Sequence, residues 1–369
     1  MGPDRCGVPR RVPSRHGAGE VRVAVVVPFR GEWSGVPRLA GCICAQTRIP
    51  EEVVFVIDGG DAGDVARFRR LLEHQTRLPR CGSNVQVLQQ SWAGPAAARN
   101  RGFKATSAEI VVFLEADGEY SNNYLERISE ILGSEDVGSV CPELRLADVD
   151  IETWTGRYQL AKWKGIARLT RAGRRPVLGG WAFRRRVFEI ANGYDERLLV
   201  GEDRDLVERI RQQGLRIVVA RRTSFRHPEP SSPLTLCAKA FSRARLGLPY
   251  YRKGRPTLLV ASARALGPTV ILASGAISLA ALRLHSILPV AIAFVGLAVS
   301  IIALFVATLF DQEVGAAARS REGMKSAMAS RTWFTVLRLM ERVSAFAGLV
   351  AGTWSTRTGQ ESPRVGPAV

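Results

Sequence analysis

Glu109-Ile110-Val111-Val112-Phe113-Leu114-Glu115-Ala116-Asp117-Gly118 decides how this chain is read. The apolar run 110–114, mostly β-branched, predicts a strand buried on both faces. It stops at two carboxylates one residue apart, Glu115 and Asp117. Alternate side chains of an extended segment point to the same side, so both acids can address one point beyond the strand's C-terminal end. Hard oxygen ligands held there suit a divalent cation carrying a diphosphate.

The flanking sequence extends the pattern. Residues 21–27, 53–57 and 85–88 are further short β-rich runs, separated by helical patterns at about 37–46, 64–78 and 95–106. Strand and helix in alternation predict an α/β fold, a mostly parallel sheet flanked by helices. Ligands of such sheets bind beyond the carboxyl ends of the strands, where Asp58 and the Glu115/Asp117 pair both fall. Downstream, a polar segment at 121–132 precedes strand candidates at 138–144, 177–183 and 215–220, with a helix over about 206–213.

At 369 residues the chain exceeds the usual size of one hydrophobic core. Its net charge of +18 implies an anionic neighbour, either phospholipid or a phosphorylated substrate. No nucleic-acid partner is expected, because zinc-ligand spacing, RNA-binding aromatic patterns and basic heptad regions are all missing. Cys6, Cys42, Cys44, Cys81, Cys141 and Cys237 form no C-x-x-C pair and read as inert thiols of a reducing compartment.

Two segments predict a membrane anchor. Residues 265–282 run 18 residues without a charge and 286–310 run 25, each long enough to cross a hydrocarbon core of roughly 30 Å. Joined by the turn 283–285, they are expected to form a C-terminal transmembrane helical hairpin. Arg243, Arg245, Arg252, Lys253, Arg255 and Arg264 precede it, and Arg319, Arg321, Lys325 and Arg331 follow. Such flanks predict a multi-pass protein of the cell inner (plasma) membrane with a cytoplasmic catalytic domain. Within 332–354, apolar residues recur at Trp333, Val336, Met340, Val343, Ala347 and Val350, the pattern of an amphipathic helix lying on the membrane, a third span being the alternative. The expected map is a disordered basic tail at 1–20, an α/β domain at 21–256 and two spans within 257–311. A cytoplasmic segment at 312–355 and a disordered tail at 356–369 complete it.

Four features fit one site, each with a plainer explanation. Asp58 ends the run VVFVID and can accept from a base N–H or a ribose hydroxyl, or simply open an Asp-Gly turn. Gly94-Pro95-Ala96-Ala97-Ala98-Arg99 puts small residues at a helix start, allowing either close packing or phosphate approach, and Arg99 can meet phosphate charge. Glu115-Ala116-Asp117 is a metal-ligand pair or a solvated loop. Glu202, Asp203 and Asp205 supply more acid than a helix cap needs, and a surplus carboxylate at a helix mouth can act as a general base.

In combination these stretches resemble the family 2 glycosyltransferases of the GT-A fold, of the membrane-anchored bacterial type. VAVVVPFRG, with Pro28, is similar to the family's opening strand and FVIDGG to the end of its second strand. GPAAARNRGFKATSAEIVVFLEADG resembles the segment carrying the metal-binding acids. LGGWAFRRRVFEIANGYDERLLVGEDRDLVERIRQQGLRIVVA resembles the acceptor-side block. The resemblance implies a nucleotide-diphospho-sugar transferase in which Pro28, Asp58, Arg99, Glu115 and Asp117 bind the nucleotide sugar. Mn2+ or Mg2+ would be held by Asp117, Glu115 and His227, with Asp203 as catalytic base supported by Glu202. Ile57 stands where an acid is often found, Glu115 where Asp is commoner, and Trp181 where a small or polar residue is frequent.

The function expected from sequence is therefore a membrane-associated inverting glycosyltransferase, a hexosyl- or related transferase of cell-envelope biosynthesis. Its expected partners are a nucleotide-sugar donor, a saccharide or lipid-linked acceptor and the membrane. The competing reading is a catalytically silent nucleotide-binding membrane scaffold, against which the retained acids argue.

Overall fold

The computed structural model describes residues 21–144 apart from 32, 76–77 and 79–80, then 153–171, 179–226 and 228–253. It also describes 333–353 apart from 335, 339, 346 and 352. The chain divides into two compact units. The first comprises Met1–Arg145, Val177–Glu196 and Asp203–His227; the second comprises Leu146–Pro176, Arg197–Glu202 and Pro228–Val369.

The first unit is built on one sheet. Its strands are β1 (Val23–Phe29), β2 (Glu52–Asp58), β3 (Asn84–Gln90), β4 (Ile110–Phe113), β5 (Glu119–Tyr120), β6 (Val137–Leu144), β7 (Ala182–Arg184) and β8 (Arg216–Arg226). Their order is β3-β2-β1-β4-β7-β6-β8-β5. β3, β2, β1 and β4 run parallel, β7 is antiparallel to both β4 and β6, β8 is parallel to β6, and β5 is antiparallel to β8. The sheet is thus mixed, with four parallel pairings and three antiparallel ones. Three-residue β7 carries the reversal, too short to announce its direction in the sequence. Winding from β1 out to β3 and back across to β4 creates a switch point between β1 and β4, the place where such sheets bind ligands.

Valine-rich β1 and β2 are buried along nearly their whole length, as strands covered by helices on both faces must be. The helices around them are α1 (Val36–Cys44), α2 (Ala62–Gln75), α3 (Pro95–Lys104), α4 (Tyr124–Leu132), α6 (Arg185–Ile190) and α7 (Glu202–Gln212). α3 lies on β1 and β2, and Gly102 sets how closely. A Cβ there would stand 2.3 Å from Val26 Cγ1 and 3.2 Å from Val56 Cγ2, so any side chain would force helix and sheet apart. Cys44 and Cys81 form a disulfide with Cα atoms 5.8 Å apart. That corrects the expectation of inert thiols: a sequence separation of 37 residues leaves no local signal for the pairing.

The second unit contains α5 (Trp154–Arg171), α8 (Pro233–Leu246) and α9 (Leu248–Lys253), and described residues of 333–353 are helical. Ser232 caps α8, accepting from Thr235 N–H while the Thr235 hydroxyl accepts from Ser232 N–H, which satisfies two otherwise orphaned donors. Phe334 and Leu337 pack with Tyr158, Ala161 and Leu236; Leu349 packs with Ala244 and Leu248. Beside the first cluster, the Glu341 carboxylate accepts from the Tyr158 hydroxyl at 2.6 Å and pairs with Lys162 and Arg338.

These contacts correct the membrane expectations. The stripe read as membrane-facing includes Trp333, Val336 and Val350, which are exposed, while a neighbouring stripe is covered by protein. Among the described residues no helix is long and apolar enough to cross a membrane. Even α5, at 18 residues, carries Arg157, Lys162 and Lys164. The expected hairpin at 265–282 and 286–310 lies outside the described residues. The membrane-anchored form, the multi-pass localisation at the plasma membrane and the membrane as partner therefore find no support and are withdrawn.

Candidate active site

Asp58 and Asp117 sit at the same edge of the sheet. Val26 of β1 is in register with Val54 on one side and Phe113 on the other. With one strand between them, Val54 and Phe113 are about 10 Å apart, and each acid follows its strand's residue by the same number of positions (58 − 54 = 117 − 113). Both are at carboxyl ends of parallel strands, flanking the switch point.

Asp58 is 5 % exposed and its carboxylate is engaged. Oδ1 accepts from Ala93 N–H at 2.8 Å and from the Gln90 carboxamide at 2.9 Å, and Oδ2 accepts from Gly94 N–H at 2.9 Å. Its visible work is to fix the turn that launches α3. Charge-assisted bonds to backbone amides are the strong kind, so this is more than the Asp-Gly turn the sequence offered. Pro28, near the end of β1, is half-buried in register with Val56.

The small residues opening α3 serve packing: Ala96, Ala97 and Ala98 are buried against the sheet. Arg99 does not reach out to solvent as a phosphate ligand would. Its side chain is buried, its guanidinium lies 3.8 Å from Asp203 Oδ1, and it stacks over the Tyr194 ring at 5.2 Å. The next residue explains why that ring is in place. Asn100 donates to Tyr194 O and accepts from Tyr194 N–H, both at 2.9 Å. Consecutive residues of one helix thus hold the cation on the acid and the ring beneath it.

Asp203 is 8 % exposed and its Oδ1 has no hydrogen-bond partner, leaving an acceptor free beside a balancing charge. Asp205 is differently employed: it bonds Arg209 at 2.9 Å, and Arg209 donates to Ala191 O and Gly193 O. The acid cluster therefore divides between an open carboxylate and a structural one. Glu202, the first residue of α7, is buried and belongs to the second unit.

The Glu115–Asp117 turn is clamped from three directions. Tyr120 lies between Tyr124 and Phe225, ring centroids 5.5 and 5.0 Å away, and its hydroxyl accepts from Glu115 N–H at 2.9 Å. Burial, and then the nearby Glu115 carboxylate, push the Tyr120 phenol well above its usual range, so it stays neutral. Arg38 donates to Asp117 O at 3.3 Å. Gly179, at φ +108°, leaves the space occupied by the Glu115 carboxylate: a Cβ there would be 2.6 Å from Oε1. Trp181 is buried and its indole N–H lacks a partner.

Among the described residues no group of three or more His, Cys, Asp or Glu side chains converges as a metal cage, and His227 lies outside the described residues. The acid pair is compatible with a different kind of site. A hard cation shared with a diphosphate requires only one or two protein carboxylates, and Glu115 and Asp117 are half-buried oxygen donors of that type. Sequence reading missed Tyr120, Tyr194, Arg38 and Gly179. Only Gly179, within a Gly-Gly pair, carried a visible signal.

Residues 24–190 match the family model described as glycosyl transferase family 2. The chain is 27% identical over 208 residues to a pre-mycofactocin glycosyltransferase of Mycobacterium tuberculosis, covering 53% of this chain and 40% of that protein. It is 26% identical over 200 residues to an O-antigen chain rhamnosyltransferase of Salmonella anatum, covering 51% and 60%. The chain therefore spans less than two thirds of these curated relatives. A mannosyltransferase of Pyrobaculum calidifontis, solved in complex with GDP-Man and Mn2+, shares the fold with a TM-score of 0.54. That match is 20% identical and covers 92% of this chain and 88% of the other. Fold and distant similarity together support a family-2-like glycosyltransferase of GT-A architecture.

Proposed function

We propose that the chain transfers a sugar, a hexose or close relative, from a nucleoside-diphosphate donor to a hydroxyl of a saccharide acceptor. The observation that carries this is the clamped Glu115/Asp117 pair beside the sheet's switch point, beyond the same sheet edge as Asp58 and in one unit with the buried Asp203. The names of relatives acting on mannosyl and rhamnosyl groups agree with that class of substrate.

Asp117 and Glu115 are the residues to hold Mn2+ or Mg2+ on the donor. His227 is a further candidate ligand on the family resemblance alone. The ion, when bound, neutralises charge on the departing diphosphate. The chain's own residues supply the rest. Pro28, Asp58 and Arg99 shape the nucleotide-sugar pocket, the latter two by holding the start of α3 and the Asp203 carboxylate. Asp203 accepts the acceptor hydroxyl's proton as that oxygen bonds to the anomeric carbon and the carbon–diphosphate bond breaks; a supporting part for Glu202 rests on the family resemblance alone. A single displacement of this kind needs one base and inverts the anomeric centre.

The test is to incubate purified protein with Mn2+ or Mg2+ and a panel of nucleotide sugars, following donor hydrolysis and transfer to saccharides. Turnover with at least one donor is expected, lost in both Asp117→Asn and Asp203→Asn. Inactivity with every donor, or full turnover in Asp203→Asn, overturns the assignment.

A further inference from the structure

We propose that Trp92, with Arg30 beside it, is the platform on which the donor's nucleobase stacks, an assignment that rests on the nucleotide-sugar reading above. The family resemblance gives base recognition to Asp58, but that carboxylate already accepts from Gln90, Ala93 and Gly94. It faces into the loop rather than out of it. The residue the loop puts outward at this point is Trp92, 38 % exposed in a unit whose other aromatic rings are mostly buried.

Its position suits a base. Trp92 lies over the end of β2, its Cβ 3.6 Å from the place a side chain would start at Gly59. Arg30, the residue after β1, brings its guanidinium to 5.3 Å from the indole centroid. Indole and guanidinium thus stand over the carboxyl ends of adjacent strands, on the β2 side of the switch point. Glu115 and Asp117 stand on the β4 side. A nucleotide laid across that edge has its base at Trp92 and its diphosphate at the acid pair, with the ribose between them. A planar cation already lies over one ring face, so the indole is presented for stacking, and the Arg30 charge beside it favours an anionic nucleotide. Gly59, at positive φ, has only the Trp92 Cβ near the place a side chain would start, which lets the base approach the backbone.

Stacking on an aromatic ring is worth enough that its loss by alanine substitution weakens binding roughly 5- to 150-fold. The experiment is calorimetric titration of UDP, GDP and dTDP, each with Mn2+, and of inorganic pyrophosphate with Mn2+, into wild type, Trp92→Ala and Trp92→Phe. Trp92→Ala should weaken the tightest nucleoside diphosphate by at least about fivefold and leave pyrophosphate unchanged, while Trp92→Phe keeps most of the affinity. Nucleotide binding should also quench indole fluorescence in the wild type, with the quench reduced in Trp92→Phe although affinity persists. Equal nucleotide affinity in wild type and Trp92→Ala overturns the inference while leaving the transferase reading intact. Parallel loss of pyrophosphate overturns it too, because Trp92 would then act through the loop. A wild type that binds no nucleoside diphosphate overturns both.

Discussion

Asp58→Asn separates a structural role for this acid from a ligand-binding one. The amide keeps the size of the side chain and one oxygen, which can still accept from Ala93 N–H and the Gln90 carboxamide. The other end becomes an NH2 group facing Gly94 N–H, now 2.9 Å from a carboxylate oxygen. A buried donor then meets a donor. Losing that charge-assisted bond and leaving the amide unsatisfied costs about 1.5–3 kcal/mol, and the two remaining bonds weaken as the charge goes. A total near 3 kcal/mol lowers the melting temperature of a unit of this size by roughly 6–12 °C. Thermal unfolding followed by circular dichroism reads that shift. Hydrogen exchange across 93–100 should show the first turn of α3 losing protection. An Asp58→Asn protein that melts and exchanges like wild type, yet binds nucleotide weakly, refutes the reasoning and returns Asp58 to direct contact with the base.

Four further perturbations follow from particular contacts. Gly179→Ala, at φ +108° and 2.6 Å from Glu115 Oε1, should displace that carboxylate and weaken Mn2+-dependent nucleotide binding about tenfold or more, a loss of about 1.4 kcal/mol. Unchanged binding by calorimetry would mean that Glu115 is not a ligand. Arg99→Met leaves Asp203 buried without its cation and should cost about 3 kcal/mol in urea unfolding. Adding Asp203→Asn should restore most of that stability, and no restoration would dissolve the pairing. Burial alone would raise the Glu341 carboxyl, but Lys162 and Arg338 hold it down at about 2. Its folded value lies below the ordinary 4.5, so its stabilisation, about 3 kcal/mol, is complete above pH 4.5 and lost as pH falls toward 2. Acid titration of Glu341→Gln should lack that dependence, and an unaltered acid limb would count against the pairing. Finally, reductant should lower the melting temperature of wild type, the Cys44–Cys81 link being worth about 2–4 kcal/mol, but not that of Cys44→Ser; identical responses would show the thiols unlinked.

The half of the fold that carries the candidate site was legible because its signals are local. β1, β2, β3 and β4 are short β-branched runs bounded by turn residues, and their observed limits lie within two residues of the pattern. α3 begins at the proline that marks it. The acids were equally visible, since a strand that ends in Glu-x-Asp declares itself. What sequence could not assign was how each acid is employed. Asp58 spends its carboxylate on amides of residues 93 and 94. Arg99 turns inward to Asp203 because Asn100 fixes Tyr194. Both outcomes depend on partners far away in the chain. Residues 333–353 show the same limit. Two apolar stripes compete there, and the buried one surrounds a glutamate whose partner Lys162 is 179 residues distant. Without that partner in view, Glu341 marks the face as polar.

The central claim, that Glu115 and Asp117 present a divalent cation to a nucleoside diphosphate at the end of β4, is tested most directly by anomalous diffraction. Crystals grown with Mn2+ and a nucleoside diphosphate should show one strong manganese peak bonded to the Asp117 carboxylate at about 2.0–2.3 Å, with the diphosphate completing its shell. A manganese peak at any other group of side chains, with diphosphate bound there instead, would contradict the account.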